Sequence, residues 1–468
     1  MAENTREIVL DILLSIEKEK VFSNQLIKAV LDKYDYLDVR DKRFIKRVTE
    51  GTIERQIELD YHLNHFSKVP VNKMKPLIRC LMRMSAYQLL YMDSVPDSAV
   101  CNEACKLAQK RKFHQLKGFV NGVLRSLAKN KENLTLPDRK TSEAEYLSVA
   151  YSMPKWLVEF WLEQYGSDGT EKLLAGLLAV HPVVLRFRTD MPETEVAELL
   201  DEMQNGGAGV QKSRYLPYLY MVENVDGIAS LPGYEEGAFT VQDVSSALAV
   251  EAAGIQSGDL VLDICAAPGG KTMLAAEKAA KVRSRDVSER KVDIICENLE
   301  RMKIENVETE VFDATNTDEA FVEKADVVLM DVPCSGLGIL GKKRDIKYHV
   351  TPESLKEIVT LQKQIVQSSW QYVKPGGTLL YSTCTINPAE NEEMVKWILE
   401  EFPFEIVPKE EVLPKDLWEK LQAELQAETM QNGQTNHPVL GNNAYGVQLL
   451  PGFTETDGFY FAKLRRKK

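Results

Sequence analysis

The chain is poor in cysteine and histidine and has no long apolar run. Seven cysteines and six histidines are spread over 468 residues. An odd cysteine count in a long chain argues against a disulfide scaffold and predicts reduced thiols in a cytoplasmic protein. No set of these residues has the spacing of a zinc site, so we predict no bound metal. No run reaches about 18 apolar residues, so we predict neither a membrane-spanning helix nor a membrane partner.

An overall excess of positive charge is also missing. The net charge is −12, which taken alone argues against a nucleic-acid binder. The charge is unevenly spread, however, because residues 1–133 hold 24 Lys+Arg against 17 Asp+Glu, whereas the remainder holds 34 against 53. A basic module joined to an acidic one indicates an electropositive surface on the first, suited to phosphate contact. Its basic residues cluster at Arg40, Lys42, Arg43, Lys46 and Arg47, and at Lys106, Lys110, Arg111, Lys112 and Lys117.

The hydrophobic pattern divides the chain into three parts. Residues 1–140 repeat apolar residues with helical periodicity, which predicts an all-α domain. Residues 141–240 combine helical stretches with short strands, which predicts a small α+β module. Residues 241–468 alternate uninterrupted apolar strands with helices, which predicts a doubly wound, Rossmann-like α/β domain. The clearest strands are predicted at 260–264, 307–312, 327–330 and 378–381.

The first of these strands runs into a loop of small residues and then into a helix. The sequence of residues 261–272 is VLDICAAPGGKT. Small residues let a ligand approach the backbone, and a helix N-terminus offers free N–H groups. A Walker loop would need glycine where Cys265 stands, and a dinucleotide fingerprint would need three spaced glycines, but only Gly269 and Gly270 occur. The loop therefore favours an adenosine-type ligand held without a phosphate cradle.

An acidic residue follows each of three later strands, the first of which ends just before Asp286. Asp286 lies 23 residues after Asp263, at the distance where a carboxylate can accept hydrogen bonds from ribose hydroxyls. Asp313 and Asp331 come directly after their strands. Because the carboxyl ends of parallel strands share one edge of a sheet, we expect these side chains to converge on one crevice.

Two cysteines lie at the same kind of position. Cys334 follows a strand in the segment DVPCSGLG, and Cys384 follows another in the segment STCT. A cysteine buried in a sheet core is the ordinary alternative. At the ligand-binding edge, however, a thiol can act as a nucleophile if its pKa is lowered.

Together, three segments resemble RNA 5-methylcytosine methyltransferases of the NOL1/NOP2/Sun group, which use S-adenosylmethionine. They are DICAAPGGKT from position 263, DVPCSGLG from 331 and STC from 382, and FTVQDVSS from 239 is similar to the start of that catalytic domain. The segments RDKRF from 40, LMRMSAYQL from 81 and GFVNGVLR from 118 resemble an RNA-binding NusB-type domain. A NusB-like domain ahead of this catalytic domain is the arrangement of bacterial family members that methylate carbon 5 of cytosine 967 in 16S ribosomal RNA.

The resemblance implies a role for each segment. Cys384 would be the nucleophile that adds to carbon 6 of cytosine, Cys334 would assist its release, and Asp331 would contact the base at the cofactor-binding edge. Asp286 would bind the cofactor ribose, and Asp313 would lie by the adenine. The methionine end of S-adenosylmethionine would be held by seven consecutive residues: Cys265, Ala266, Ala267, Pro268, Gly269, Gly270 and Lys271. The implied partner is 16S ribosomal RNA, and we expect a monomer.

The sequence departs from the family pattern at two places. Residues 282–285 read VRSR, where an apolar strand is usual, so we predict a short or distorted second strand. Arg344 stands where relatives commonly carry proline, and its charge is expected to face RNA phosphate or solvent.

Two other functions are compatible with parts of the sequence. The basic helical domain would also suit a binding protein that acts in transcription antitermination or as an RNA chaperone, with an inactive sheet. Retention of both cysteines and of the cofactor loop argues against this. In a DNA cytosine methyltransferase the cysteine of the Pro-Cys pair, here Cys334, would be the nucleophile. The Thr-Cys pair at Cys384 and the NusB-like domain favour RNA.

Overall fold

The computed structural model describes residues 4–19, 21–180, 182–225, 227–432 and 445–468. The chain forms two compact units. The first consists of Met1–Leu178 together with Leu340–His349, and the second consists of Ala179–Ile339 together with Val350–Lys468. The segment Leu340–His349 therefore leaves the second unit in sequence and packs as part of the first.

The first unit is helical, and its apolar periodicity becomes a continuous core. Leu81 and Leu124 are fully buried in it, and Pro76 begins its central helix at a position where a missing backbone N–H costs nothing. Its helices are α1 Thr5–Glu19, α2 Ser23–Lys33, α3 Val39–Glu54, α4 Gln56–Phe66, α5 Pro76–Tyr91, α6 Asp97–Lys110, α7 Lys117–Asn130, α8 Glu143–Ala150 and α9 Lys155–Leu178.

The segment Leu340–His349 is fastened to the first unit by polar contacts. Arg344 forms ion pairs with Glu54 at 2.7 Å and Glu50 at 3.1 Å. The buried Lys347 ammonium donates to the carbonyl oxygens of Glu54 and Ser152, at 2.7 and 2.6 Å. The expectation that Arg344 faces RNA phosphate or solvent is therefore wrong, because two carboxylates of α3 neutralise its charge.

The second unit begins with a small antiparallel sheet of order β2-β3-β1-β4, accompanied by one helix. Phe187 and Phe239 pack in the core that this sheet and the helix share, with their ring centroids 5.3 Å apart. The fully buried Arg186 pairs with Glu277. The elements are β1 Val183–Phe187, α10 Glu193–Asn205, β2 Gly209–Lys212, β3 Leu219–Glu223 and β4 Phe239–Val241.

A larger sheet follows, in the order β10-β12-β9-β8-β5-β6-β7, with β11 paired to β12. The five strands from β9 to β7 are parallel, and β12, β10 and β11 add antiparallel pairs at the β9 edge. The strands are β5 Leu260–Asp263, β6 Lys281–Asp286, β7 Val307–Val311, β8 Ala325–Asp331, β9 Val373–Thr383, β10 Phe404–Ile406, β11 Val447–Leu449 and β12 Phe459–Arg466.

The remaining helices follow β4 in the chain, and the one in the segment Leu340–His349 belongs to the first unit. They are α11 Val244–Ala253, α12 Gly270–Ala276, α13 Glu289–Arg301, α14 Ile346–His349, α15 Pro352–Ser369, α16 Glu392–Glu401, α17 Lys409–Val412 and α18 Lys415–Asn432. Short 3₁₀ turns cover Val71–Lys73, His114–Leu116, Lys131–Asn133, Ile228–Ser230, Glu319–Phe321, Trp370–Tyr372 and Pro388–Glu390. The predicted fold class is confirmed: a helical domain, a small α+β module and a doubly wound α/β sheet.

The prediction of a short or distorted second strand is wrong. β6 spans six residues and pairs in parallel on both sides, with β5 and with β7. Its buried arginine, Arg285, is 1% exposed but forms ion pairs with Glu310 and Asp318 and stacks on the ring of Phe312. Neighbouring carboxylates and aromatic rings thus let a charged sequence occupy an interior strand.

Candidate active site

The site lies where the strand order of the large sheet reverses. From β5, the chain continues to β6 and β7 on one side, and then to β8 and β9 on the other. In open α/β sheets, ligands bind beyond the carboxyl ends of the strands at such a point. β5 ends at Asp263, β8 ends at Asp331 and β9 ends at Thr383, so the motifs that follow them share this edge.

The small-residue loop after β5 is held by its backbone. The Ala266 N–H donates to the carbonyl oxygen of Arg285 at 2.9 Å, and the Ala267 N–H donates to Asp286 at 3.0 Å. Gly269 caps α12 with φ +100°, a left-handed conformation that favours glycine. The loop from Cys265 to Gly270 is therefore fixed against the end of the neighbouring strand β6.

The two carboxylates proposed for the adenosine part occupy different environments. Asp286 is buried and also accepts hydrogen bonds from Val287 N at 2.7 Å and from Lys291 at 2.9 Å. Asp313 is exposed, and hydrogen bonds from the backbone and side chain of Thr315 lower the pKa of its carboxyl group. The structure brings Asp286 to the loop, whereas Asp313 makes its hydrogen bonds only to its local turn among the described residues.

Asp263 lies at the centre of this region, although the sequence pattern predicts no role for it. It is fully buried, and burial raises the pKa of its carboxyl group to about 7. Thr272 Oγ1 donates to Asp263 Oδ2 at 2.7 Å and lies 3.0 Å from Ser284 Oγ. Asp263 Oδ1 and Gln242 Oε1 are buried with no hydrogen-bond partner in the part of the chain that the structure describes. The sequence signal for Asp263 is its position at the end of a strand, directly before a loop of small residues.

The two cysteines at the strand ends meet. Cys334 Sγ and Cys384 Sγ lie 3.1 Å apart. The hydrogen bond with Cys384, together with burial, raises the pKa of the Cys334 thiol well above its ordinary value. Cys334 is thus held as a protonated thiol directly beside the second sulfur atom.

Asp331 links this pair to the cofactor loop. Lys271 Nζ lies 2.8 Å from Asp331 Oδ2, and Ser382 Oγ donates to Asp331 Oδ1 at 2.8 Å. Burial alone would lower the pKa of Lys271, but the charge and the hydrogen bond of Asp331, together with the nearby Asp263, raise it overall. The same ammonium lies 5.1 Å from the centre of the Phe459 ring. The loop thus carries a mostly buried positive charge that pairs with the carboxylate at the end of β8.

Close backbone contacts hold the Cys334 loop in place. The Gly338 N–H donates to the carbonyl oxygen of Cys384 at 3.1 Å, and the Gly458 N–H donates to Gly338 O at 2.9 Å. A Cβ atom on Gly338 would lie 2.0 Å from the Gly458 oxygen, so glycine is required. Gly458, Phe459 and the buried Glu390 are site residues that the sequence did not reveal, because their contacts come from distant segments.

The predicted basic clusters of the helical unit are partly neutralised within that unit. Lys110 and Arg111 both pair with Glu7, at 2.5 and 3.1 Å, and Lys42 pairs with Asp35 at 2.7 Å. Arg40, Lys46, Lys112 and Lys117 are exposed. The exposed members of the two clusters are the ones able to contact a phosphate backbone.

Two other kinds of site are absent from the described residues. No described helix combines the length and apolarity that a membrane span requires. Within the described ranges, no group of three or more His, Cys, Asp or Glu side chains is arranged to hold a metal ion.

Comparisons with known proteins agree with this architecture. The model of the NusB family matches residues 3–129, and that of the 16S rRNA methyltransferase RsmB/F family matches residues 251–465. The probable ribosomal RNA small subunit methyltransferase B of Bacillus subtilis is 33% identical over 99% of both chains. A solved structure described as PH0851 has a TM-score of 0.77 at 24% identity over 100% of both chains. NSun6 from Pyrococcus horikoshii, solved with SFG, has a TM-score of 0.54 at 20% identity over 67% of this chain and 98% of its own.

The doubly wound sheet, with its small-residue loop at the switch point, defines a methyltransferase domain of Rossmann-like fold preceded by a NusB-type helical domain. The chain belongs to the 16S rRNA methyltransferase RsmB/F family, as its full-length similarity to a small subunit methyltransferase B shows.

Proposed function

We propose that this protein methylates carbon 5 of one cytosine of 16S ribosomal RNA, cytosine 967, with S-adenosylmethionine. The observation that carries the proposal is the pair of thiols 3.1 Å apart, next to a carboxylate that is paired with the lysine of the cofactor loop. The reaction contributes to ribosomal RNA processing, and we place it in the cytoplasm.

The residues beyond β5 and β6 suit the proposed cofactor. When bound, S-adenosylmethionine supplies an electrophilic methyl group on a sulfonium. The buried, unpartnered oxygens of Asp263 and Gln242 offer acceptors beside the loop from Cys265 to Lys271, where the methionine end would lie. Asp286 Oδ2 accepts a single hydrogen bond from Ala267, so it keeps capacity for a ribose hydroxyl. Asp313 Oδ2 accepts no hydrogen bond from the described residues and would face the adenine.

Two thiols suit methylation at carbon 5 of a pyrimidine. Carbon 5 of cytosine is a weak nucleophile, and addition of the Cys384 thiolate to carbon 6 makes it enamine-like. Once carbon 5 has taken the methyl group, leaving S-adenosylhomocysteine, its proton passes to water. The electrons of that carbon–hydrogen bond re-form the 5,6 double bond as the sulfur–carbon 6 bond breaks and returns the Cys384 thiolate. Asp331 would hydrogen-bond the base near N3, and the protonated Cys334 would support release.

The RNA must present the target base outside its stack. Unstacking costs a few kcal/mol, and less in a loop than in a duplex. We propose that residues 1–140 form the NusB-like RNA-binding domain, 141–240 an RNA-binding linker module and 241–468 the catalytic domain. Helices α8 and α9 of the linker module pack within the first unit, whereas α10 and its strands belong to the second. We further propose that the protein works as a monomer without metal.

A labelling experiment tests this function. The full-length protein is mixed with methyl-labelled S-adenosylmethionine and, in separate reactions, with unmethylated 16S ribosomal RNA or with duplex DNA. We expect label in RNA alone, at a single cytosine, with bisulfite sequencing reporting 5-methylcytosine there. Label in DNA but not in RNA would favour the DNA methyltransferase alternative, and no transfer to either would favour an RNA-binding protein with an inactive sheet.

A further inference from the structure

Glu390 carries a carboxylate that hydrogen-bonds the residue following Cys334. Glu390 is fully buried, with 0% of its surface exposed. One oxygen accepts hydrogen bonds from Ser335 N at 2.9 Å and Gln362 Nε2 at 3.0 Å. The other accepts from Ser335 Oγ at 2.5 Å and Asn387 Nδ2 at 2.9 Å. Within the described chain no lysine or arginine pairs with it, so hydrogen bonds alone stabilise this charge.

These hydrogen bonds join the two loops that bear the cysteines. Ser335 directly follows Cys334, and its hydroxyl lies 2.7 Å from Thr385 Oγ1, on the residue that follows Cys384. Burying a carboxylate without a cation is costly, and a fully hydrogen-bonded network offsets that cost while fixing one geometry. The carboxylate thus holds both loops through residues that adjoin the thiols.

The next residue, Asn391, holds the other side of Cys384. Thr383 Oγ1 donates to Asn391 Oδ1 at 2.6 Å, and Asn391 Nδ2 donates to the carbonyl oxygen of Thr385 at 3.1 Å. One buried asparagine therefore fixes the residues on both sides of Cys384. Glu390 holds Ser335, and the Ser335 hydroxyl in turn contacts Thr385.

We propose that Glu390 is a positioning residue that sets the spacing and orientation of the Cys334 and Cys384 thiols. It contacts neither sulfur in the described hydrogen bonds, and it acts through Ser335 and Thr385. Its effect on thiol spacing stands independently of the reaction, whereas its effect on turnover rests on the function proposed above.

Glu390→Gln is a sharp test, because each carboxylate oxygen accepts two hydrogen bonds. Whichever oxygen becomes an NH₂ group faces two donors and can accept from neither. Ser335→Ala is a milder second variant that removes one hydroxyl from the same network. Glu251→Gln is the matched control, since this carboxylate pairs with Lys278 at 2.9 Å and with Tyr218, and contacts neither cysteine loop.

Thiol spacing is measured by the rate at which diamide oxidises the pair, taking up both thiol hydrogens as the sulfur–sulfur bond forms. Peptide mapping identifies the Cys334–Cys384 disulfide. We expect Glu390→Gln to slow its formation about tenfold and Ser335→Ala about threefold, as loss of buried charged hydrogen bonds predicts. Glu251→Gln should match the wild type.

Methylation provides the second readout. Glu390→Gln should lower kcat about tenfold while leaving KM for RNA and cofactor within about twofold. In Ser335→Ala/Glu390→Gln the oxidation rate should equal that of Glu390→Gln, because the two residues act through one network.

The proposal is overturned if the thiol pair of Glu390→Gln is oxidised at the wild-type rate, or if Glu251→Gln slows the oxidation equally. Should Glu390→Gln not fold, a wild-type oxidation rate in Ser335→Ala overturns it. If wild-type protein methylates nothing but the rates differ as expected, the proposed function fails and the positioning role stands.

Discussion

Cys334 and Cys384 are 50 positions apart in the chain, yet their sulfur atoms lie 3.1 Å from each other. The neighbouring parallel strands β8 and β9 end side by side and direct the two loops to one edge of the sheet. The Gly338 N–H donates to the carbonyl oxygen of Cys384, and the missing Cβ of Gly338 leaves room for the backbone of Gly458. Strand order therefore brings the two loops together, and backbone contacts of Gly338 hold them.

The first prediction concerns the different roles of Cys334 and Cys384 in the reaction. Cys384→Ala should abolish methylation and form no covalent RNA complex, because no sulfur can add to carbon 6. Cys334→Ala should still form the adduct and accumulate it, because release is impaired. Denaturing gel electrophoresis of protein with labelled RNA separates the two outcomes.

The exposed Cys296 supplies the control for both variants. Cys296→Ala should methylate at the wild-type rate and show no stable adduct. If Cys334→Ala instead fails to form the adduct while Cys384→Ala still forms it, the roles of the two cysteines are exchanged.

The second prediction concerns the charge at Lys271. Its ammonium lies 2.8 Å from Asp331, so Lys271→Met leaves a carboxylate uncompensated at the reacting end of the site. We expect kcat/KM for methylation to fall about 100-fold, the scale of removing a preorganised electrostatic contact. Lys278→Met is the comparison, because Lys278 pairs with Glu251 away from the thiols. Similar losses in the two variants would contradict the special role of Lys271.

Strand ends were the most informative sequence feature, and their limits are physical. The alternation of apolar strands with helices in the sequence is enough to place Cys334, Cys384 and Asp331 at one edge of a parallel sheet. It cannot place the Lys271–Asp331 pair, because that contact depends on the exact path of a loop. It also cannot show that Glu390 is buried, since the segment around it reads as a polar turn and its partners come from other loops. The prediction of a distorted β6 is wrong for the same reason. Arg285 is acceptable in this strand only because carboxylates from later segments pair with it.

The third prediction is a pH dependence carried by Asp263. Burial raises the pKa of this carboxyl group from 3.8 to about 7, so between these values the folded chain holds a proton that the unfolded chain has lost. Stability contributed by this group is therefore full below pH 3.8 and falls as pH rises towards 7. The loss amounts to about 4 kcal/mol at most.

Calorimetry of Asp263→Asn checks this linkage, because the amide cannot titrate. The thermal midpoint of the variant, relative to the wild type, should rise between pH 5 and pH 8. Asp313→Asn is the control: hydrogen bonds from Thr315 lower the pKa of Asp313, so its titration lies below this window. A constant difference between Asp263→Asn and the wild type across the range would contradict the prediction.

The fourth prediction tests the close approach of two backbones at Gly338. An added Cβ would meet the Gly458 carbonyl oxygen at 2.0 Å, a distance that forces one backbone to move. Gly338→Ala should therefore lower the free energy of unfolding by about 1–3 kcal/mol, measured by urea titration of the second unit's transition. Gly258→Ala is the matched control, because a Cβ there meets no atom within 4 Å. Since Gly338 N also donates to Cys384 O, the shift should reach the thiols and slow diamide oxidation of Cys334 with Cys384. Equal stability and oxidation rates in the two alanine variants would show that the loops yield without disturbing the pair.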